Sequence, residues 1–110
     1  MITTEFLQSC TDEQINKGVA WLEAKRLGFS NPCEFMIHRD VIHRDYPWIF
    51  SPCYMPNDAW SIILSNNISI KSDHVGNGVW FADDTFDITV GSTNPLRAAM
   101  EVYLLISNDK

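Results

Sequence analysis

The string His38-Arg39-Asp40-Val41-Ile42-His43-Arg44-Asp45 holds the densest set of chemically able side chains in the sequence. Imidazole nitrogens and carboxylate oxygens are ligands for zinc, manganese or non-haem iron. A small metal-dependent enzyme would draw on His38, Asp40 and His43, with His74 as a further ligand. The spacing works against the simple version. In one extended strand, His38 and His43 point to opposite faces. On a helix they lie roughly 140° apart. Only a turn between them brings both to one centre. The preferred reading is a polar hairpin or loop with Arg–Asp pairs, each worth about 0–1 kcal/mol at a surface. A kinase-type HRD loop is excluded, because the other kinase motifs are absent and the chain is too short.

The remaining reactive groups form no catalytic pattern. There is no G-x-S-x-G elbow, no phosphate-binding glycine loop and no H-E-x-x-H. Cys10, Cys33 and Cys53 are odd in number and far apart, with no C-x-x-C pair. They read as reduced thiols rather than as a disulfide framework or a zinc site. No cofactor is implied, and a binder is favoured over an enzyme.

Arg97 breaks a local rule. It stands in the first turn of an expected helix, where a cation opposes the helix dipole at a cost of a few tenths of a kcal/mol. One explanation is a carboxylate partner such as Asp83, Asp84 or Asp87 in the preceding hairpin. The other is a site for an anion or an acidic partner, built from Arg97 and the helix N-terminus. Asp73, Asp83, Asp84 and Asp87 follow Lys71 with no Lys or Arg before Arg97, which marks an acidic face. Such faces are usually only solvated, and mimicry of nucleic-acid phosphates is the sharper alternative. Asp58 and Trp60 suggest a ligand pocket. The plainer account has Asp58 complementing a helix dipole and Trp60 anchoring that helix in the core.

Four Trp, six Phe and three Tyr are a high aromatic load for 110 residues. One core of this size absorbs many of them but not all. Trp48, Phe50 and Tyr54 fall in a proline-rich stretch, and Trp80 faces away from Phe81 along its strand. Exposed aromatics beside charged residues suit protein interfaces. The candidate partner-binding residues are therefore Trp48, Tyr54, Asp83, Asp84 and Arg97.

These residues need elements to hold them. Thr11 and Gln14 form a capping box that opens a helix over 12–27, with Asp12 and Glu13 at its positive end. Ile15, Val19 and Leu22 give its buried stripe, and Gly28 can stop it by taking positive φ. Phe35 and Ile37 alternate in a short strand over 34–38. Tyr46 to Pro52 is apolar but bracketed by prolines, so it reads as a loop packed down on the domain or a bound edge segment. A second helix starts after Pro56 with Asn57 as its cap. It ends at Asn66-Asn67, where an Asn can take one left-handed step into a strand at Ile68–Lys71. A hairpin follows, with strands at 79–82 and 86–90. Asn94 caps the last helix and Pro95 occupies its first position. Leu96, Ala99, Met100, Tyr103 and Leu104 form its buried face, broadened by Val102, Leu105 and Ile106. A helix this apolar either lies deep in the core or covers a partner, which raises a homodimer or a self-associating structural protein as an alternative. The fold class is α+β: three helices packed on a small, mainly antiparallel sheet, in the order helix-strand-helix-strand-strand-helix.

Composition sets outer bounds. With 45 % hydrophobic and 20 % charged residues, residues 1–110 fit a single globular domain. A net charge of −6 removes the basic footprint that non-specific nucleic-acid binding needs. No apolar run reaches the length of a membrane span, and the first residues carry no basic-then-apolar leader. The expected compartment is a cytoplasm.

Three blocks resemble a known family. Thr11-Asp12-Glu13-Gln14-Ile15-Asn16-Lys17-Gly18-Val19-Ala20 resembles the opening of the NinX-like family of small phage and prophage proteins. Pro56-Asn57-Asp58-Ala59-Trp60-Ser61-Ile62-Ile63, followed by Asn67-Ile68-Ser69-Ile70, resembles its middle block. Asn94-Pro95-Leu96-Arg97-Ala98-Ala99-Met100-Glu101-Val102-Tyr103-Leu104 resembles its closing block. The blocks lie in the family's order, and Cys33 to Phe50 has no counterpart. The resemblance implies an accessory phage protein acting inside the infected bacterium, in the host cytoplasm. It carries no catalytic residue set, so it places no functional residue. The expectation is a non-catalytic module that binds a host or phage protein, with no direct nucleic-acid or membrane contact.

Overall fold

The computed structural model describes residues 3–30, 50–73, 78–84 and 88–108. A short helix, α1 (Thr4–Ser9), leads into α2 (Asp12–Arg26). After α3 (Pro56–Ser65) come three strands, β1 (Ser69–Ser72), β2 (Trp80–Asp83) and β3 (Thr89–Ser92), and then α4 (Pro95–Asn108). The strands form one antiparallel sheet in the order β1-β2-β3. The α+β class is therefore as expected. Three strands follow α3, near the three stretches read as strands (68–71, 79–82 and 86–90), where the order given above counted only two; α1 is an addition. The strand over 34–38 lies outside the described residues.

Local sequence explains most of the boundaries. Thr11 Oγ1 accepts from Gln14 N at 3.2 Å while Gln14 Oε1 accepts from Thr11 N at 2.8 Å, which completes the capping box. At the other end of α2, Gly28 takes φ +85°. Phe29 N then donates to Ala24 O at 2.8 Å and Gly28 N to Lys25 O at 3.2 Å, the two bonds of a Schellman stop. The end of α3 repeats this device with Asn67 at φ +53°. Ile68 N reaches Ile63 O at 3.1 Å and Asn67 N reaches Leu64 O at 3.4 Å. For α4, Asn94 Oδ1 accepts from Leu96 N at 3.0 Å and Arg97 N at 3.2 Å. The cap of α3 differs from expectation. Met55 holds that position without a side-chain bond, and Asn57 lies inside the helix.

Register decides which strand residues face the core. Ile70, Ala82 and Val90 stand opposite one another, so they share a face; Ala82 and Val90 are buried and Ile70 partly so. Lys71, Phe81 and Gly91 share the other face. There the Phe81 ring lies so close to Gly91 that a Cβ at that position would sit 3.0 Å from Cε1. Lys71 Nζ meets Asp83 Oδ2 at 3.3 Å on the same face.

The centre of the molecule is α4. It contacts α1, α2, α3 and all three strands, and every residue from Ala98 to Leu104 is buried. Of the two fates open to so apolar a helix, it takes the deep one. The other helices pack chiefly on α4 rather than on the sheet. Within the described residues, the broad apolar surface of α4 is thus covered by its own chain.

The left-handed step at Asn67 gives a direct test. Asn67→Val should lower stability by about 1–2 kcal/mol, because a β-branched residue resists positive φ. Asn67→Gly should stay close to the wild type. Urea unfolding midpoints of the two variants check this.

Candidate functional site

Two features stand out: a buried polar centre around Arg97, and an exposed uncharged ridge on α3. The first explains the rule that Arg97 breaks. Its side chain is only 14 % exposed and turns inward. Nε donates to Glu101 Oε2 at 2.9 Å, one turn along α4. Nη1 donates to Asp12 Oδ1 at 2.6 Å, and Nη2 donates to Leu7 O at 2.8 Å and Cys10 O at 2.7 Å. The partners are therefore Asp12 and Glu101, rather than a carboxylate of the hairpin. The last turn of α1 has no basic residue of its own, and Arg97 supplies the missing cation to its carbonyls. One guanidinium thus caps α1, pairs the first residue of α2, and fixes both to α4.

Asp12 is shared. Its Oδ2 accepts from Tyr54 Oη at 2.5 Å. The Tyr54 hydroxyl, and then Arg97, hold the Asp12 carboxyl below its ordinary value of 3.8 despite partial burial. The same bond raises the Tyr54 phenol. Tyr54 follows a turn clamped from both sides: Cys53 N donates to Asn16 Oδ1 at 3.0 Å, and Asn94 Nδ2 donates to Cys53 O at 2.7 Å. Asp58 Oδ2 accepts from Ser51 N at 2.9 Å, so this carboxylate braces the turn as well as standing in the first turn of α3. Pro52 and Cys53 are fully buried. The part of the proline-rich stretch that begins at Phe50 is therefore packed down on the domain.

The chemistry of this centre is structural. Burial, and secondarily Asp12, pushes the Cys53 thiol up to about 12. It is a closed thiol, not a nucleophile at neutral pH. Glu101 is 2 % exposed, and among the described residues nothing hydrogen-bonds its Oε1. No three His, Cys, Asp or Glu side chains among the described residues converge as a metal would require. His38, Asp40, His43, His74 and Trp48 lie outside the described residues. A second buried network sits at the far end of α2, where Glu23 accepts from Tyr103 Oη at 2.9 Å and pairs with Arg26 at 2.8 Å. Burial, followed by the charge of Glu23, raises the Tyr103 phenol. Sequence reading missed this network, the Cys53 clamp and buried Glu101. The one available signal was Arg97 and Glu101 at i and i+4 on a helix.

The hairpin acids are engaged locally. Asp83 pairs with Lys71 and accepts from Thr89 Oγ1 at 3.2 Å. Asp84 Oδ1 accepts from Ile88 N at 2.9 Å, beside the backbone bond from Asp84 N to Ile88 O at 3.1 Å. Asp87 lies outside the described residues.

The second feature reverses an expectation. Trp60 does not anchor α3 in the core; it is 59 % exposed, and Leu64 one turn later is 57 % exposed. Ala59, Ile62 and Ile63 take the buried face instead. The outward residues Pro56, Asn57, Trp60, Ser61, Leu64 and Ser65 include no charge. Tyr54 and Met55, both exposed, precede the ridge.

Two tests follow from the Arg97 centre. Arg97→Met leaves the Asp12 and Glu101 carboxylates without their cation and takes a donor from the Leu7 and Cys10 carbonyls, so it should cost about 3–5 kcal/mol in unfolding free energy. The Asp12 prediction concerns pH. Its native value is lowered, so its contribution is whole above 3.8 and is lost as pH falls through the lowered value. Asp12→Asn should be less stable than the wild type at pH 7, and the gap should close below pH 3.8 in acid-titrated urea melts.

No helix among the described residues is long and apolar enough to cross a membrane. A search of curated proteins found no match, and neither did a search of solved structures. The family model described as Bacteriophage P22, NinX matches residues 9–107, a span that holds α2, α3, the sheet and nearly all of α4. The chain that folds around the Arg97 centre belongs to this NinX family of phage proteins.

Proposed function

We propose that this phage accessory protein is a non-catalytic module that binds a host or phage protein in the cytoplasm of the infected bacterium. One observation carries the reading: α3 turns Trp60 and Leu64 outward on a face without charge. Leaving a large aromatic in water forgoes about 1.5–3 kcal/mol of burial, since Ala59, Ile62 and Ile63 fill the buried face of the helix. Interface cores are likewise poor in charge and rich in Trp, Tyr and Met. Tyr54 adds to the same surface beside its bond to Asp12. Asp83 and Asp84 stay in the proposed binding set, each with a local partner in the hairpin, while Arg97 acts from within by holding Asp12, which accepts from the Tyr54 hydroxyl. The buried Cys53 thiol and the closed polar centre support occupancy rather than turnover as the mode of action.

Affinity capture from infected cells, followed by rebinding of the purified partner, tests this. The expected result is one protein near equimolar ratio. Its affinity should fall at least about 30-fold in Trp60→Ala, the loss typical of a central interface aromatic. Absence of any partner would count against the module.

A further inference from the structure

We infer that α1 is a detachable strap: it docks on and leaves the body formed by α2, α3, α4 and the sheet as one unit, with Leu7 and Arg97 Nη2 as its latch. The strap has little to hold it by itself. Its six residues are too few for a helix to persist alone in water, and Leu7 is its one buried residue. Phe6 is 56 % exposed, and Glu5, Gln8 and Ser9 face solvent. Its polar tether to the body is the pair of bonds from Arg97 Nη2 to Leu7 O and Cys10 O. Segments with few buried apolar groups and exposed backbone bonds occupy the low end of local stability.

The body does not need the strap. Arg97 divides its donors by element. Nε serves Glu101 and Nη1 serves Asp12, so the tie between α2 and α4 survives when Nη2 lets go. The bond from Tyr54 to Asp12 survives with it. Helix α2 starts on its own capping box, which draws nothing from α1. Between the two helices, Cys10 (φ −80°, ψ 151°) and Thr11 (φ −75°, ψ 162°) are both extended and make a hinge. The family match starts at residue 9, so it takes in the body and, of α1, only Ser9. Undocking gives up one leucine seat and two hydrogen bonds, whereas global unfolding gives up the whole core. The open form differs from the closed one in presenting Leu7 and the Nη2 donors of Arg97 to water. Helix α1 is thus an order–disorder element set beside a fixed body.

Amide hydrogen exchange of the full chain, followed by NMR in water and in low urea, tests this. The reporters are the amides of Leu7 and Cys10 at the strap and those of Met100 to Leu104 in α4. The strap amides should exchange at least about 100-fold faster than those of α4. Their rates should depend little on urea, because a small opening exposes little surface. Two variants separate strap from body. Leu7→Asp should undock α1 for good: its amides should exchange as in a free peptide, while α2, the sheet and α4 keep their native chemical shifts. Protection in α4 should then fall by no more than the factor that protected α1 in the wild type, since that factor is all that docking contributes. Arg97→Lys keeps the charge beside Asp12 and Glu101 but loses the fork, and should cut α1 protection at least about tenfold. Wild-type α1 amides that exchange as slowly as those of α4 overturn the strap. Loss of the native α4 and sheet signals in Leu7→Asp overturns it too, because the body would then depend on α1. Unchanged α1 protection in Arg97→Lys overturns the latch.

Discussion

The guanidinium of Arg97 is the tie on which the helical layer depends. A cation in the first turn of a helix is a local misfit, and its cost is repaid by four acceptors drawn from α1, α2 and α4 itself. Burying charge succeeds only when each donor has a geometric match, and the planar fork of arginine provides it. Lysine would bring the same charge without the fork. The tie works on elements that are weak alone. Helix α1 has six residues, too few to be stable in water, and its C-terminal carbonyls need an outside donor. Arg97 supplies that donor and in the same act neutralises the carboxylate that receives the Tyr54 hydroxyl.

That tie reaches the outer surface through a short chain of contacts. Arg97 holds Asp12, Asp12 holds Tyr54, and the turn beneath Tyr54 is clamped by Asn16 and Asn94 through the two backbone groups of Cys53. The turn runs directly into α3, so the same contacts set the height and angle of the ridge bearing Trp60 and Leu64. A helix held at its N-terminus by buried hydrogen bonds, with Ala59, Ile62 and Ile63 packed beneath, presents its outward residues with little freedom. Under the binding role proposed above, preorganisation of this kind would lower the entropy lost on docking.

The elements were largely legible because their signals are local. The capping box of Thr11 and Gln14, the Gly28 stop, the left-handed step at Asn67 and the Asn94-Pro95 start each involve residues within about six positions of one another. A capping bond or a positive φ depends on little beyond that window. Buried strand positions such as Val90 followed from alternation. The candidate site was far less legible. Arg97 was visible as an anomaly, but its partner Asp12 lies 85 positions away, and nearer carboxylates in the hairpin offered equally good chemistry on paper. Trp60 was read as core because aromatics usually are. Whether it faces in or out turns on which side of α3 meets α4. Ile62 and Ile63, one turn apart from Ala59, took that side.

The sequence by itself determined the class of fold, where the helices start and stop, the acidic balance and the absence of familiar catalytic motifs. These are properties of composition or of short windows, where backbone sterics and nearby hydrogen bonds decide. Only the tertiary structure decided that α4 lies at the centre, that Arg97 turns inward to Asp12 and Glu101, that Glu23 meets Tyr103, and that α3 shows Trp60 to solvent. Each is a choice among side chains of similar chemistry at long separation. It is settled by the packing of the whole chain, in which partners for buried polar groups and removal of apolar surface from water are weighed together across elements far apart in sequence.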